Sequence, residues 1–224
     1  MQKTTFTLIS RRALTHDVYE LVYSCTELSK EPPKPGQYAM FLLALGLSRA
    51  YSIASCEKAS FTLIIKRIAD GRWSPMICDA GLGSVFSGMI PLGHFILQDT
   101  PKHKCFIGTG TGFAPLYAMV LECAKTRWNE GNIFLYGVRE ERDFFYFDEM
   151  EKLVKETHLT LRPYLSRADA TYATHGYVTD WITSDNIMSY EEFYICGSPS
   201  MVESARNKLM ALGIMKKQIF WEQY

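Results

Sequence analysis

The spacing of hydrophobic positions changes near residue 100. Before that point, short runs of β-branched and aromatic residues are separated by turn-forming stretches such as PPKPG and ADG. The runs are TTFTLIS (4–10), VYELVYS (18–24), QYAMFLL (37–43) and SFTLIIKRI (60–68). This pattern predicts an antiparallel β-barrel or sandwich.

After QDTPKHK (98–104), apolar strands alternate with helical stretches. The pairs are KCFIG with FAPLYAMVLECAKTR (113–127), NIFLYGV with YFDEMEKLVKET, then the strand LTLRPYL, and EEFYICG with PSMVESARNKLMAL. Such alternation predicts a parallel sheet with helices on both faces. We therefore expect two domains, residues 1–98 and 103–224.

Composition and charge narrow the function classes. The chain has 224 residues, 47% of them hydrophobic, and Lys+Arg and Asp+Glu balance at 24 each. No net field therefore attracts nucleic acid or an anionic membrane. The first residues, MQKTTFTLISRRALTHD, contain no apolar signal region, and no run of membrane-spanning length occurs. We expect a soluble cytoplasmic protein with neither a nucleic-acid nor a membrane partner.

Six cysteines are scattered along the chain, at positions 25, 56, 78, 105, 123 and 196. Because none forms a CxxC pair, a zinc ribbon, a redox dithiol and a clustered iron-sulfur centre are excluded, and we expect no metal site. Most of these thiols are expected to be reduced core residues. Cys196 differs, since it follows the apolar strand EEFYI and precedes Gly-Ser-Pro.

A glycine-rich turn, FIGTGTGFAP (106–115), joins the first parallel strand to its helix. Backbone amides of such a turn approach a pyrophosphate at a helix N-terminus. The turn departs from GxGxxG, because Phe113 stands where a third glycine is expected. Tight packing of the turn, without a ligand, is the alternative.

A second unusual stretch is SRAYSIAS (48–55). On an alternating strand, Arg49 and Tyr51 lie on one face, which suits a flat anionic ligand. An edge strand with a solvated arginine is the alternative.

These motifs resemble the flavin- and NAD(P)-binding module of the ferredoxin-NADP reductase superfamily. RAYSIAS, GTGTGFAP and CGSP (196–199) match its signatures in the family's order, and PGQY (35–38), PLGHF (91–95) and YGVRE (136–140) are similar to further landmarks. The resemblance covers nearly the whole chain. It implies an antiparallel β-barrel that holds FAD, residues 1–98, followed by an α/β NAD(P)-binding domain, residues 103–224.

The resemblance implies roles in the barrel. Arg49 binds the flavin pyrophosphate, Tyr51 stacks on the flavin, and Ser52 hydrogen-bonds near flavin N5. Since alternation puts Ser52 and Tyr51 on opposite faces, we expect a bend or bulge there.

The phosphate-binding turn is assigned to Gly71 and Ser74, with an ordinary N-cap serine as the alternative. Lys66 also belongs to the cofactor site, and with Arg67 and Arg72 it is placed to receive an acidic carrier, although a solvated surface is the alternative.

For the nicotinamide nucleotide, the resemblance assigns Thr109, Gly110, Thr111 and Gly112 to the pyrophosphate, and Cys196, Gly197 and Pro199 to the nicotinamide. A buried, inert Cys196 is the alternative.

The resemblance assigns the adenosine phosphate to Arg139, Ser166 and Arg167. NADPH is favoured, and NADH stays open because Glu140 and Glu141 follow Arg139 and Tyr177 stands where many relatives carry arginine.

The last residues, QIFWEQY, resemble the family's ending, with a glutamate two residues before an aromatic. This implies that Tyr224 lies on the flavin face opposite Tyr51 and moves before hydride transfer. Glu222 orients the nicotinamide or relays a proton. A strand with a frayed end is the alternative. Ser52, Cys196, Glu222 and Tyr224 are therefore the predicted catalytic residues.

The implied function is hydride transfer between NAD(P)H and FAD, with electrons passing to a separate ferredoxin, flavodoxin or oxygenase component. Two other functions stay open: a flavin-binding electron-relay or regulatory subunit of a larger redox complex, and a nucleotide-binding scaffold without flavin.

Overall fold

The computed structural model describes residues 3–29, 32–43, 46–126 and 130–224. Two compact units divide the described chain. The first comprises the residues up to Leu97 together with Tyr117–Met119, and the second comprises Gln98–Leu116 together with Val120–Tyr224. Among the described residues, every helix is too short or too polar to cross a lipid bilayer.

The first unit is built from six strands: β1 (Thr4–Ala13), β2 (Val18–Ser24), β3 (Tyr38–Leu42), β4 (Ser48–Glu57), β5 (Ser60–Lys66) and β6 (Val85–Leu92). They form a closed antiparallel barrel in the order β1-β2-β5-β4-β3-β6. Closure pairs both sides of every strand, so the barrel presents no open edge. The predicted antiparallel barrel is confirmed.

Aromatic rings from several strands fill the barrel. Phe6 packs edge-on against Phe41 and Phe61, with ring centroids 5.2 and 5.1 Å away. The same ring lies over Gly88, where a Cβ atom would be only 2.0 Å from Phe6 Cε2. The sequence pattern did not predict β6, because this glycine and the following Pro91-Leu92-Gly93 interrupt the β-branched run.

One short helix, α1 (Ser74–Cys78), follows β5 and buries Ile77 and Cys78 in the barrel core. Its N-cap residue is Trp73. Ser74 lies one residue inside the helix, which rules out the alternative of Ser74 as the N-cap.

The second unit contains a six-stranded parallel sheet: β7 (Lys104–Thr109), β8 (Ile133–Val138), β9 (Thr160–Leu165), β10 (Thr174–His175), β11 (Glu192–Gly197) and β12 (Ile219–Gln223). Its helices are α2 (Phe113–Lys125), α3 (Phe147–Glu156), α4 (Ser184–Ile187) and α5 (Pro199–Ala211). The predicted parallel α/β unit is confirmed. The sequence prediction extended α2 to Arg127, which lies outside the described residues.

Both faces of the sheet are covered because its strands are buried on both sides. On one face, Ile107 and Ile195 pack with Val202 and Leu209 of α5. On the other face, Phe113 of α2 stacks on Phe134 with ring centroids 5.5 Å apart. Phe113 is fully buried, which explains the large side chain at the position where the sequence pattern suggested a glycine.

The strand order places a topological switch point between β7 and β11. The order is β10-β9-β8-β7-β11-β12, so the chain extends from β7 to one side and later returns to the other side. In sheets of this kind, ligands bind at the carboxyl ends of the strands beside the switch point. The glycine-rich turn begins at the end of β7, and the Cys196-Gly197-Ser198-Pro199 segment begins with the last two residues of β11.

The amino ends of β7 and β11 carry a buried ion pair. The Lys104 ammonium lies 3.6 Å from Glu192 Oε2, and both side chains are almost fully buried. Lys104 also donates hydrogen bonds to the carbonyl oxygens of Thr100 and Lys102, while the Thr100 and Tyr194 hydroxyls donate to Glu192. Every charged atom of the pair is thus hydrogen-bonded, as a buried charge requires.

Candidate functional site

The glycine-rich turn forms the N-terminal end of α2. Thr109 is the last residue of β7, and Gly110–Gly112 makes one turn of 3-10 helix that leads directly into α2. Gly110 has a φ of 53°, a left-handed conformation that costs other residues energy. The first amides of a helix have no partner within it, so this turn presents N–H groups suited to a phosphate.

The turn touches the last two residues of β11, Cys196 and Gly197. A Cβ atom at Gly112 would lie 2.2 Å from the carbonyl oxygen of Cys196 and 2.7 Å from Gly197 Cα. Gly197 in turn has no room for a side chain, because a Cβ atom there would lie 2.2 Å from Thr109 Oγ1. Glycine at both positions is therefore what brings the two turns together.

Cys196 is buried beneath this contact. The pKa of its thiol is raised to about 12, chiefly by burial; a hydrogen bond with the Tyr224 side chain lowers this pKa and the nearby Glu222 carboxylate raises it. Glu222 is the register partner of Cys196 on β12. The thiol is consequently protonated at neutral pH and is a weak nucleophile.

Tyr224 spans both turns. Its hydroxyl donates a 2.9 Å hydrogen bond to the Thr111 carbonyl oxygen, and its backbone N–H donates a 3.3 Å hydrogen bond to the Gly197 carbonyl oxygen. About half of the residue is exposed. The second unit therefore gathers Thr109 through Gly112, Cys196, Gly197, Glu222 and Tyr224 at one end of its sheet.

Pro199 stands at the start of α5, one residue after the N-cap Ser198. The Ser198 hydroxyl accepts a hydrogen bond from the Met201 amide. Pro199 has no amide hydrogen to leave unpaired, which suits the first position of a helix. Its rigid φ fixes the direction in which the chain leaves Gly197.

Two arginines meet at the carboxyl ends of β8 and β9. The Arg167 amide donates a 2.9 Å hydrogen bond to the Arg139 carbonyl oxygen, and the Ser166 amide bonds to the Val138 carbonyl oxygen. Both guanidinium groups are exposed. Across the described part of the chain, neither forms an ion pair or a side-chain hydrogen bond, so this edge presents two available cations.

The two acids that follow Arg139 are already engaged. Glu140 Oε2 lies 2.9 Å from Arg142 Nε. Glu141 accepts a hydrogen bond from Tyr172, whose pKa is raised by partial burial and by this carboxylate. Tyr177, in the next loop, is about two-thirds exposed.

In the barrel, Arg49 and Tyr51 lie on one face of β4, as predicted. Their cross-strand partners are Phe41 and Ala39. The Tyr51 ring packs edge-on against Phe41 with centroids 5.7 Å apart, and burial raises the pKa of its phenol to about 12. Arg49 is exposed and donates a hydrogen bond to the Ser48 carbonyl oxygen.

Ser52 lies on the opposite face of β4. It is buried and pairs with Tyr38 of β3. The expected irregularity does not lie between Tyr51 and Ser52, where the pairing with β3 is regular. It lies between Ile53 and Ser55, where the register with β5 shifts.

The proposed phosphate turn of the barrel is closed on itself. The Ser74 hydroxyl accepts a 3.0 Å hydrogen bond from the Ile68 amide, and the Gly71 amide donates to the Ile68 carbonyl oxygen. Gly71 packs closely here, since a Cβ atom would lie 3.0 Å from that same oxygen. Arg72 stacks over the Trp73 ring at 4.8 Å.

Two of the three cations predicted to receive a carrier are paired. Lys66 lies 2.7 Å from Asp17, and Arg67 binds Asp79 through Nε and Nη2. Because its ammonium is paired with a carboxylate, Lys66 is a poorer phosphate ligand than Arg49. Arg72 is the member of the three without an ion pair in the described ranges.

Several contacts were not predicted. Motif spacing gave no sign of the Gly112 contact with Cys196, the Glu140–Arg142 ion pair or the Tyr172–Glu141 hydrogen bond. The only sequence signal for the first was the presence of small residues at both turns.

Known proteins resemble this chain in sequence and in fold. Residues 106–207 match the family model of the oxidoreductase NAD-binding domain. The chain is 27% identical over 218 residues to the toluate 1,2-dioxygenase electron transfer component of Pseudomonas putida, covering 95% of this chain and 65% of the relative. The chain thus spans slightly less than two thirds of that protein.

Solved structures share the fold. A cytochrome P450 reductase from Amycolatopsis has a TM-score of 0.86 at 22% identity, covering 99% of this chain and 69% of that one. A ferredoxin NADP+ reductase from Neisseria gonorrhoeae, with bound FAD and NADP, has a TM-score of 0.84 at 19% identity, covering 100% and 99%.

Proposed function

We propose that this chain is a member of the ferredoxin-NADP reductase superfamily. In this proposal it is a flavin-dependent oxidoreductase that transfers hydride between NAD(P)H and FAD and passes electrons to a separate acceptor. The observation that carries the proposal is the contact between Gly112 and Cys196, which joins the two proposed nucleotide-binding turns at the switch point of the sheet. The proposal that the cofactor is FAD rests on the superfamily and on the RAYSIAS motif of the barrel.

The residues of the barrel fit FAD. Arg49 offers an exposed, planar cation without an ion pair among the described residues, which suits a diphosphate. Tyr51, on the same strand face, offers a ring held in one orientation by Phe41. Gly71 and Ser74 are proposed to approach the phosphates. Lys66, which is bound to Asp17, is proposed only as a peripheral member of the site.

The residues of the second unit fit a nicotinamide dinucleotide. The N–H groups of Thr109 through Gly112 are proposed to hold the pyrophosphate at the start of α2. Cys196, Gly197 and Pro199 are proposed to border the nicotinamide, where glycine leaves space for a ring and the buried, protonated thiol presents a small neutral group.

When bound, the flavin supplies the capacity to accept a hydride and release electrons singly. The chain's own residues provide orientation and exclusion of water. Ser52 is proposed to donate a hydrogen bond to the flavin ring, Glu222 to orient the nicotinamide beside Cys196, and Tyr224 to occupy the nicotinamide site until the nucleotide displaces it.

We favour NADPH over NADH. Arg139 and Arg167 are joined by a backbone hydrogen bond, exposed and without ion pairs among the described residues, and Ser166 adds a hydroxyl on the residue before Arg167. Such a set suits a 2'-phosphate, whereas NADH selection needs an available acid near the ribose. Glu140 and Glu141 are both bound to other side chains. Tyr177, where an arginine is expected, keeps NADH as the alternative.

The acceptor is proposed to be a separate protein: an oxygenase component, a ferredoxin or a flavodoxin. The toluate dioxygenase relative, named an electron transfer component, supports the first of these. A flavin-binding relay subunit within a larger redox complex is the second candidate, since the same residues would serve it. The cytoplasm is proposed as the compartment, which agrees with six cysteines that form no disulfide bond among the described residues.

A spectrum of the purified protein tests the proposal. We expect a yellow protein with flavin absorbance that bleaches under anaerobic NADPH. Arg49→Ala should weaken FAD binding at least about tenfold in fluorescence titration, because a charge-assisted contact is worth about 1.5–3 kcal/mol. Bleaching by neither NADPH nor NADH would favour the relay subunit, and a colourless protein that does not take up FAD would overturn the proposal.

A kinetic comparison tests the choice of nucleotide. The kcat/KM for NADPH should exceed that for NADH by more than about tenfold and collapse in the Arg139→Ala, Arg167→Ala double variant. A wild-type preference for NADH would reject the NADPH assignment.

A further inference from the structure

The loop after β8 contains Arg142. Among the described residues, its only ion pair is with Glu140, the residue that follows Arg139. Arg142 Nε lies 2.9 Å from Glu140 Oε2, and both side chains are substantially exposed, at 70% and 41%. An exposed pair of this kind contributes little to folding stability. Its role must therefore be sought in the charge it places at this edge of the sheet.

The backbone of this loop fixes where Glu140 stands. The Glu140 amide donates to Asp143 Oδ2, and the Asp143 amide donates to the Glu140 carbonyl oxygen. These two bonds form a closed turn that holds Glu140 directly after Arg139. A carboxylate in this position repels a phosphate bound by Arg139 unless another charge compensates it.

We propose that Arg142 is a specificity-determining positioning residue: by pairing with Glu140 it cancels the carboxylate next to Arg139, so that Arg139 and Arg167 can hold a 2'-phosphate. This inference rests on the proposed use of NADPH. Glu141, the next acid, interacts with the Tyr172 hydroxyl and is not a member of this pair.

The net charge of the pair gives an ordered expectation. Glu140 and Arg142 together carry no net charge. Arg142→Ala leaves one negative charge, Glu140→Gln leaves one positive charge, and the double variant returns to neutrality. Preference for a 2'-phosphate should therefore be strongest in Glu140→Gln, equal in the wild type and the double variant, and weakest in Arg142→Ala. A direct contact of Arg142 with the phosphate would instead make the double variant as weak as Arg142→Ala.

Binding of two small probes tests the inference without turnover. Isothermal titration calorimetry would compare adenosine 2',5'-bisphosphate with adenosine 5'-monophosphate, which lacks the 2'-phosphate. We expect Arg142→Ala to weaken the bisphosphate about threefold to tenfold at low salt and to leave the monophosphate unchanged, as for one exposed charge a few ångströms away. The effect should shrink at high salt, because screening removes interactions between exposed charges.

A matched control removes an equal charge elsewhere. Lys217 is exposed in the turn before β12, at the amino edge of the parallel sheet, so Lys217→Ala should leave both affinities unchanged. NADPH and NADH kinetics should follow the same order, with the change in KM rather than in kcat.

The outcomes separate the two levels of inference. If the wild type binds the bisphosphate more tightly and Arg142→Ala does the same, the role of Arg142 is wrong while the use of NADPH stands. If the double variant does not recover, compensation of Glu140 is wrong. If the wild type binds both probes equally, the proposed use of NADPH fails, and the role of Arg142 fails with it.

Discussion

The phenol hydroxyl of Tyr224 donates a 2.9 Å hydrogen bond to the main-chain carbonyl oxygen of Thr111. This contact ties the last strand of the sheet to the turn proposed to bind the pyrophosphate. Together with the bond from the Tyr224 amide to Gly197, it holds the ring across the two turns that Gly112 brings together. A nucleotide bound there would have to displace the tyrosine.

Removing Tyr224 should therefore strengthen nucleotide binding. Tyr224→Phe loses one hydrogen bond, worth about 0.5–1.5 kcal/mol, and should tighten NADPH binding about twofold to tenfold. Tyr224→Ala also removes the ring and should tighten it further, lower kcat by slowing release, and leave FAD bound. Equilibrium titration and turnover with ferricyanide measure these effects. Unchanged affinity and turnover in both variants would make the residue structural.

Alanine at two neighbouring glycines should have different consequences. Gly112→Ala drives a Cβ atom to 2.2 Å from the Cys196 carbonyl oxygen, so we expect it to cost about 3 kcal/mol and to abolish nucleotide binding. Gly110→Ala has no atom within 4 Å of its new Cβ, so only the left-handed φ is penalised, by about 1 kcal/mol. Urea denaturation and NADPH titration distinguish the two. Equal effects would contradict the contact between the turns.

The buried ion pair should be asymmetric in its response to substitution. Glu192→Gln leaves the Lys104 charge buried without its counterion, which should cost about 3–5 kcal/mol. Lys104→Met combined with Glu192→Leu removes both charges and should cost less. Hydrogen exchange at β7 and β11 amides reports the change locally. Arg12→Ala, which breaks the exposed pair with Glu20, is the control and should cost less than about 1 kcal/mol.

Stability should fall steeply in alkali. Burial raises the pKa values of the Cys78 and Cys196 thiols from 9.0 to about 12. Between about pH 9 and pH 12, these thiols lose their protons in the unfolded chain but keep them in the folded chain. The free energy of unfolding therefore decreases as pH rises. Each thiol contributes a slope of about 1.4 kcal/mol per pH unit. Urea midpoints measured from pH 7 to 11 test this.

Cys78→Ala provides the comparison for that series. Its unfolding free energy should run parallel to the wild type below pH 8, offset by the lost packing, and should decline less steeply above pH 9. Identical alkaline slopes in the two proteins would contradict the raised pKa of Cys78 in the folded state.

The two kinds of architecture could be predicted from the sequence alone. Alternating runs before residue 100 and strand-helix alternation after it are local patterns, and local periodicity encodes secondary structure directly. The turn chemistry of Gly110 and the shared strand face of Arg49 and Tyr51 are local in the same sense. Strand β6 was not predicted from local pattern, because it contains Gly88. A glycine is required there by the ring of Phe6, which lies on β1, a strand far away in the sequence.

Contacts between distant parts of the chain could not be predicted in this way. Gly112 touches Cys196 because the strand order places β11 beside β7, and no spacing in the sequence states that order. Likewise, the Tyr224 hydroxyl reaches the Thr111 carbonyl oxygen although the two residues are far apart in the sequence. Periodicity specifies the strands and helices, whereas the partners of a charge or a glycine are fixed by packing between residues far apart in the chain.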